Sequence, residues 1–404
     1  MPARRQPRIA WPLIVLAAIA VAAGGATAIS NIGGGSDGSA VDETSEPIAI
    51  ERFGSVPSPV AEAIEPGPVP TEGWRVRYRV ESAGTAPHLE DVVVRPPFDA
   101  RIEVRASLDP TSALTSEREL SLGVLATQNP GASPAVLEPD PTPAGIRIEA
   151  ILADAVRLGL AEQREIRLVA GRLCHVYRTG GALDATVLAP VSDDADYVDL
   201  CVDVEGLLLE EWQIFDGHGI RQRVALEVDA PSASTDSELR RIDTTDRVAP
   251  KDGGGSLREV DPASRPQGRF FESPAPPAGF TFVGRYGAVP PQPGFADPNR
   301  RGTIYASTVD VFVRGADAIV VEVGGTLNLS TAFDLDPANP QIDLGGDLGT
   351  ADVILGTSGA ELRALVGDSG RFVKVKGTVP VADLEAVMRS LRPTEAGTGL
   401  VFID

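Results

Sequence analysis

The chain of 404 residues is long enough for two or three domains. Hydrophobic residues make up 43% and charged residues 23%, aromatics only 5%, and Gly with Pro about a fifth; this excludes collagen, a long coiled coil, a polytopic membrane protein and a wholly disordered chain. Formal net charge is −21, from 57 acidic and 36 basic residues, so the chain repels phosphate backbones and nucleic acid is not expected as a partner.

Arg4, Arg5 and Arg8 precede an uncharged apolar run, Ile9–Ile29. About 20 apolar residues suffice for a helix to cross a bilayer. The basic flank, residues 1–8, should stay in the cytoplasm, with everything after Ser30 outside. Ala26-Thr27-Ala28 also fits the cleavage site of a signal peptide. A single-pass anchor is the reading taken, because the run is long for a signal core. The expected localisation is the cell membrane, with the bulk of the chain extracytoplasmic and the membrane as a partner of the N-terminal helix. Both readings export the chain. The two cysteines, Cys174 and Cys201, are then most simply one disulfide, the alternative being two buried free thiols.

Residues 30–70, rich in Gly, Ser, Pro and acids, read as a disordered stalk. From Trp74, WRVRYRVE alternates apolar and charged residues, the mark of a half-buried strand. Further strands follow at 90–97, 99–106 and 117–126. A Pro-rich loop at 129–143 leads into a predicted helix over 144–162, with Ile148, Ile151, Leu152, Ala155, Val156 and Leu158 on one stripe. Strands resume through 172–181, 184–190, 197–206, 207–215 and 219–229, with turns at Glu205-Gly206 and Asp216-Gly217. Residues 71–230 thus read as a curved antiparallel sheet domain with one covering helix.

A polar linker is expected over 231–272, and a smaller α+β domain over 273–404. In the latter, strands are predicted at 303–315, 317–325, 350–356, 360–367 and 370–378, with a loop over 334–349. A closing helix is predicted over 379–393, between Pro380 and Pro393. The fold class expected is α+β: an N-terminal transmembrane helix, an antiparallel half-barrel sheet with its helix, then the small domain.

WRVRYRVES, EDVVVRPPFDARIEVR, GRLCHVYRTGG and YVDLCVDVEGLLLEEWQIF, with Asp203, Gly206, Leu207, Leu209 and Glu211 in a strand-turn-strand, resemble the LolA-like family of bacterial extracytoplasmic proteins. That family takes in lipoprotein and lipid carriers and the RseB/MucB sensors. The resemblance covers residues 72–230; PPAGF (276–280) and GTVPVADLEAVMRSLRP are similar to the C-terminal domain of RseB-like regulators. It implies a bent sheet forming an incomplete barrel, plugged by helices over an apolar cavity that takes acyl chains. Independently, a concave sheet under a helix is where small ligands usually bind. By periodicity the inward candidates are Trp74, Val76, Tyr78, Val80, Ile102, Val104, Ile151, Leu152, Val156, Leu208 and Trp212. The alternative is that these fill an ordinary core with no cavity.

No catalytic motif emerges. His88, His175 and His218 lie far apart, no G-x-S-x-G elbow exists, and strand alternation sends Cys174 and His175 to opposite faces. The acidic groups at Asp193, Asp194, Asp196 and Asp199, and at Asp334, Asp336 and Asp343, lack calcium-loop spacing. The expectation is a binding or sensor protein, not an enzyme, without cofactor or metal. It would take a lipid or lipidated protein, with an envelope protein as a further partner; the rival is an envelope interaction protein without a small ligand.

Overall fold

The computed structural model describes residues 56–57, 73–129, 136–140, 143–144, 148–180, 183–184, 195–229, 236–239, 241–242, 256–266, 270–273, 275–289, 304–326, 339–356, 359–366, 371–395 and 397–403. After the two-residue strand β1 (Val56–Pro57) come β2 (Trp74–Ser82), β3 (His88–Arg95), β4 (Asp99–Arg105), β5 (Leu114–Ser121), β6 (Gly123–Gln128) and β7 (Val136–Asp140). Helix α1 (Ile148–Arg157) leads to β8 (Ala161–Val169), β9 (Arg172–Gly180), β10 (Leu183–Asp184), β11 (Tyr197–Asp203), β12 (Leu208–Phe215) and β13 (His218–Asp229). A single helical turn, α2 (Asp236–Leu239), then precedes β14 (Ser256–Val260), β15 (Phe270–Glu272), β16 (Thr281–Val289), β17 (Ile304–Arg314) and β18 (Asp317–Thr326). The chain closes with β19 (Gln341–Gly345), β20 (Gly349–Gly356), β21 (Gly359–Val366), β22 (Arg371–Gly377), helix α3 (Val381–Ser390) and β23 (Arg392–Thr394).

These strands form a 12-stranded sheet in the order β1-β8-β9-β11-β12-β13-β2-β3-β4-β5-β6-β7 and a nine-stranded sheet in the order β10-β20-β21-β22-β18-β17-β16-β14, with β19 beside β20. Neighbours are antiparallel throughout, except that β10 lies parallel to β20. Short β15 and β23 pair with each other. Register shifts between Val104 and Arg105, between Cys201 and Val202 and between Ala225 and Glu227 mark bulges that bend the first sheet.

Two expectations are corrected. The α+β class gives way to a mostly antiparallel β structure. Among the described residues the α-helices are α1 and α3, of ten residues each, and the four-residue α2, and a single 3-10 turn spans Gly346–Leu348. The predicted helix over 144–162 stops at Arg157 because Gly159, at φ +74°, reverses the chain. The Gly159 N–H donates to the Val156 carbonyl at 3.1 Å and the Leu160 N–H to the Ala155 carbonyl at 2.8 Å, the paired bonds of a Schellman stop. From Ala161 the chain is strand. Second, no helix among the described residues is long and apolar enough to cross a membrane. The single-pass membrane localisation is corrected accordingly, since a ten-residue helix is about half the length a bilayer requires. Ile9–Ile29, the tail before it and all of the stalk but Val56–Pro57 lie outside the described residues.

The predicted strand over 117–126 is a hairpin, Ser121 pairing with Val124. Asp216, at φ +47°, and Gly217, at φ +77°, make the turn expected between β12 and β13; the pair of positive φ values is the hairpin turn that matches strand twist. Cys174 and Cys201 form the expected disulfide, their Cα atoms 5.4 Å apart on adjacent strands β9 and β11.

One apolar core joins the two sheets. It contains Ile148, Ile151, Leu152 and Ala155 of α1, and Tyr177, Val198, Leu200 and Leu208 of the first sheet. Against them lie Val353, Leu355, Leu362, Val373 and Val375 of the second sheet and Leu384 and Met388 of α3. A second core lies on the curved face of β2–β4.

Candidate functional site

The concave face of the first sheet is set by the alternation of β2. Trp74, Val76, Tyr78 and Val80 turn to one side and are buried, while Arg75, Arg77 and Arg79 turn to the other. Register extends this face across the neighbours. One row runs Val228, Val76, Val92, Ile102, Arg118. The next runs Ala225, Tyr78, Glu90, Val104, Ser116, and a third runs Arg223, Val80, His88. Pleating puts residues paired in this way on one surface.

The face is therefore apolar at the Trp74 end and charged at the Val80 end. Glu90 is buried there. Burial opposes its ionisation, but Arg223, Arg221, Arg118 and His88 outweigh burial and hold its carboxyl below the ordinary glutamate value. Arg223 Nε lies 2.9 Å from Glu90 Oε2, and Arg221 Nη2 lies 3.6 Å from Glu90 Oε1. Arg221 also pairs with the fully buried Glu211, whose Oε1 accepts from Gln213 Nε2 at 2.6 Å. Burial pulls at the Arg221 guanidinium, yet Glu211 and Glu90 raise it. The Arg223 guanidinium stacks 3.8 Å above the Tyr78 ring. The Tyr78 hydroxyl donates to the Leu208 carbonyl at 2.6 Å, and burial pushes its ionisation up to about 12. Burial also lowers Arg118, reinforced by Arg223 and Arg221 against the pull of Glu90.

The predicted inward residues divide between two places. Trp74, Val76, Tyr78, Val80 and Ile102 share the core on this face, with Val104 packed at its margin. Ile151, Leu152 and Leu208 belong instead to the core between the sheets. Val156 is 38% exposed on the outer side of α1. Trp212 is half-buried and pairs with Gln222, which places it on the face opposite Glu211 and Arg223. The helix stripe thus packs between the sheets, and Asp154 fixes it there. Asp154 Oδ2 accepts from the Val381 N–H at 2.7 Å, capping α3, whose own N-cap Pro380 supplies no side-chain acceptor.

Sequence reasoning missed the charged end of the face. Its signal lay in the i, i+2 spacing of Arg221 with Arg223 and of Glu211 with Gln213 on adjoining strands, which puts like side chains on one surface. The histidines are dispersed. His88 lies on the concave face, His175 Nδ1 sits 2.9 Å from Gln163 Nε2 with its proton affinity lowered by burial, and His218 is exposed. Among the described residues no group of three or more His, Cys, Asp or Glu is placed to hold a metal ion. Asp193, Asp194, Asp334 and Asp336 lie outside the described residues.

No family model and no curated protein matches the chain. Among solved structures it is similar to the MucA/MucB complex of Pseudomonas aeruginosa, at 17% identity over 80% of this chain and 94% of that chain, with a TM-score of 0.29. MucB by itself is similar at 14% identity over 80% of this chain and 92% of that one, with a TM-score of 0.27. An uncharacterised conserved protein from Thermus thermophilus is similar at 11% identity over 45% of this chain and 91% of that chain, with a TM-score of 0.31.

Proposed function

We propose that this chain is a non-catalytic extracytoplasmic binding and regulatory protein. The concave face of its first sheet takes the acyl chain of a lipid or lipidated protein, and a cell-envelope protein is its partner. The observation that carries the reading is the apolar layer of Trp74, Val76, Tyr78, Val80 and Ile102 on a bent sheet, a surface suited to a hydrocarbon chain at about 0.8 kcal/mol per buried methylene. The disulfide supports an oxidising compartment. Native mass spectrometry of the protein purified from its own host is expected to show a co-purifying lipid; an empty protein that also leaves fluorescent fatty acids unbound overturns the reading.

A second reading, an envelope interaction protein without a small ligand, is favoured by one observation. The same five residues are between 1% and 3% exposed, the burial of a filled core. Under it, lipid never co-purifies and only a protein partner is captured.

A further inference from the structure

On the convex side of the first sheet one cross-strand row runs Arg75, Val93, Arg101, Glu119, Ala126, from β2 to β6. A short piece of the chain between β13 and β14 lies along it. Arg75 Nη2 sits 2.8 Å from Glu238 Oε1, and Arg101 Nη1 donates to the Glu238 carbonyl. Farther along the row, Glu119 Oε1 accepts from the N–H groups of Arg241 and Ile242, the latter at 2.8 Å. Arg241 Nη1 lies 3.5 Å from Glu103 Oε1. Leu239 and Ile242 are buried, Ile242 against Ala126. Glu238, Leu239, Arg241 and Ile242 thus make a strap over the row.

Two features set this contact apart from core packing. Leu239 and Ile242 belong to neither of the two large cores, so those apolar layers do not depend on the strap. The buried side chains of Arg101 and Glu119, opposite each other on β4 and β5, reach the main chain of the strap, at one carbonyl and two N–H groups. Arg101 is steadied by Glu117, 3.0 Å from its Nε. Main-chain groups are common to every sequence, so another segment with two apolar side chains at the same spacing meets the same donor and acceptor. Buried charges cost more than apolar packing would; what they add here is recognition of a backbone.

We infer that this row is a peptide-docking groove whose built-in occupant is the strap, and that the cell-envelope partner enters it by displacing the strap. The partner segment carries an acidic residue, then Leu, then Ile three residues beyond the Leu. Arg75 facing Glu238 and Glu103 facing Arg241 set its charge order. This deepens the partner half of the function proposed above and rests on it for the source of the segment.

A fluorescein-labelled peptide of residues 234–245, followed by anisotropy against the full chain, tests the groove. A tethered strap competes at an effective concentration on the order of millimolar, so wild type is expected to ignore micromolar peptide. The double variant Leu239→Ser, Ile242→Ser is expected to bind it about tenfold or more tighter than wild type. Glu119→Gln in that background is expected to weaken binding about tenfold, since a charged acceptor is lost. The double variant is also expected to unfold in one transition. No binding by the double variant overturns the groove, as does equal binding with and without Glu119→Gln. A double variant that no longer folds shows the strap to be part of the fold and overturns it too. A wild-type dimer that the double variant loses assigns the groove to the strap of a second copy and overturns the displacement by another protein. Each of these failures leaves the acyl-chain reading to the lipid measurement above.

Discussion

Several charged side chains in these sheets are buried or half-buried in ion pairs. On β21, Glu361 lies 2.8 Å from Arg363 Nε and 3.2 Å from Lys376 Nζ. Burial works against its charge, but Lys376, Arg363 and Lys374 prevail and hold the carboxyl at about 2, against an ordinary 4.5. Because the folded carboxyl is the stronger acid, its stabilisation is fully present above pH 4.5 and is lost as pH falls toward 2. Glu361→Gln is expected to cost up to about 3 kcal/mol near neutrality and to flatten the acid limb of the stability curve across that window; urea titrations at stepped pH check both. An unchanged acid limb would show the ion pairs to be inert. Glu361 draws no notice in the sequence, where it is one acid in a predicted strand. The cross-strand pairing of Glu361 with Lys376 arises only when two strands adopt one register.

Among the elements, strands are far more legible than helix ends. The strands expected at 74–81, 99–106, 350–356 and 360–367 reappear as β2, β4, β20 and β21 within a few residues, and the alternation at 74–81 and 99–106 follows directly from a sheet with one buried face. The helix expected over 144–162 overruns its true end because its apolar stripe continues to the edge of Gly159, and a stripe does not register backbone reversal. Gly159 at φ +74° is the physical stop. A methyl group added there would meet nothing within 4 Å, so Gly159→Ala is expected to cost about 1 kcal/mol from backbone conformation alone, read as a fall in the urea midpoint with an unchanged slope. A cost near zero would mean that the turn is not strained. The loop expected over 334–349 contains β19, which pairs with β20; its short alternation, QIDLG, is too brief to distinguish from a loop without a neighbour.

At the scale of the molecule, the two sheets share one core, with α1 and α3 in it. A single cooperative unfolding transition is therefore expected, and calorimetry showing two separate transitions would contradict it. Asp154 tests the join. Removing its carboxylate leaves the Val381 N–H at the start of α3 without its acceptor, so Asp154→Ala is expected to cost about 1–2 kcal/mol while the transition stays single.

The sequence by itself determined the strand pattern, the turn at Asp216-Gly217 and the apolar face of β2, because each follows from local periodicity or turn chemistry; with only two cysteines it made a Cys174–Cys201 disulfide the simplest reading, which the structure decided against free thiols. Tertiary structure alone decided that the α1 stripe packs between two sheets and that the concave face ends in buried arginines and glutamates. Those outcomes depend on register and sheet curvature. These bring Arg118 on β5 and Arg221 and Arg223 on β13 to the same carboxylate across three intervening strands, a meeting that sequence spacing does not encode.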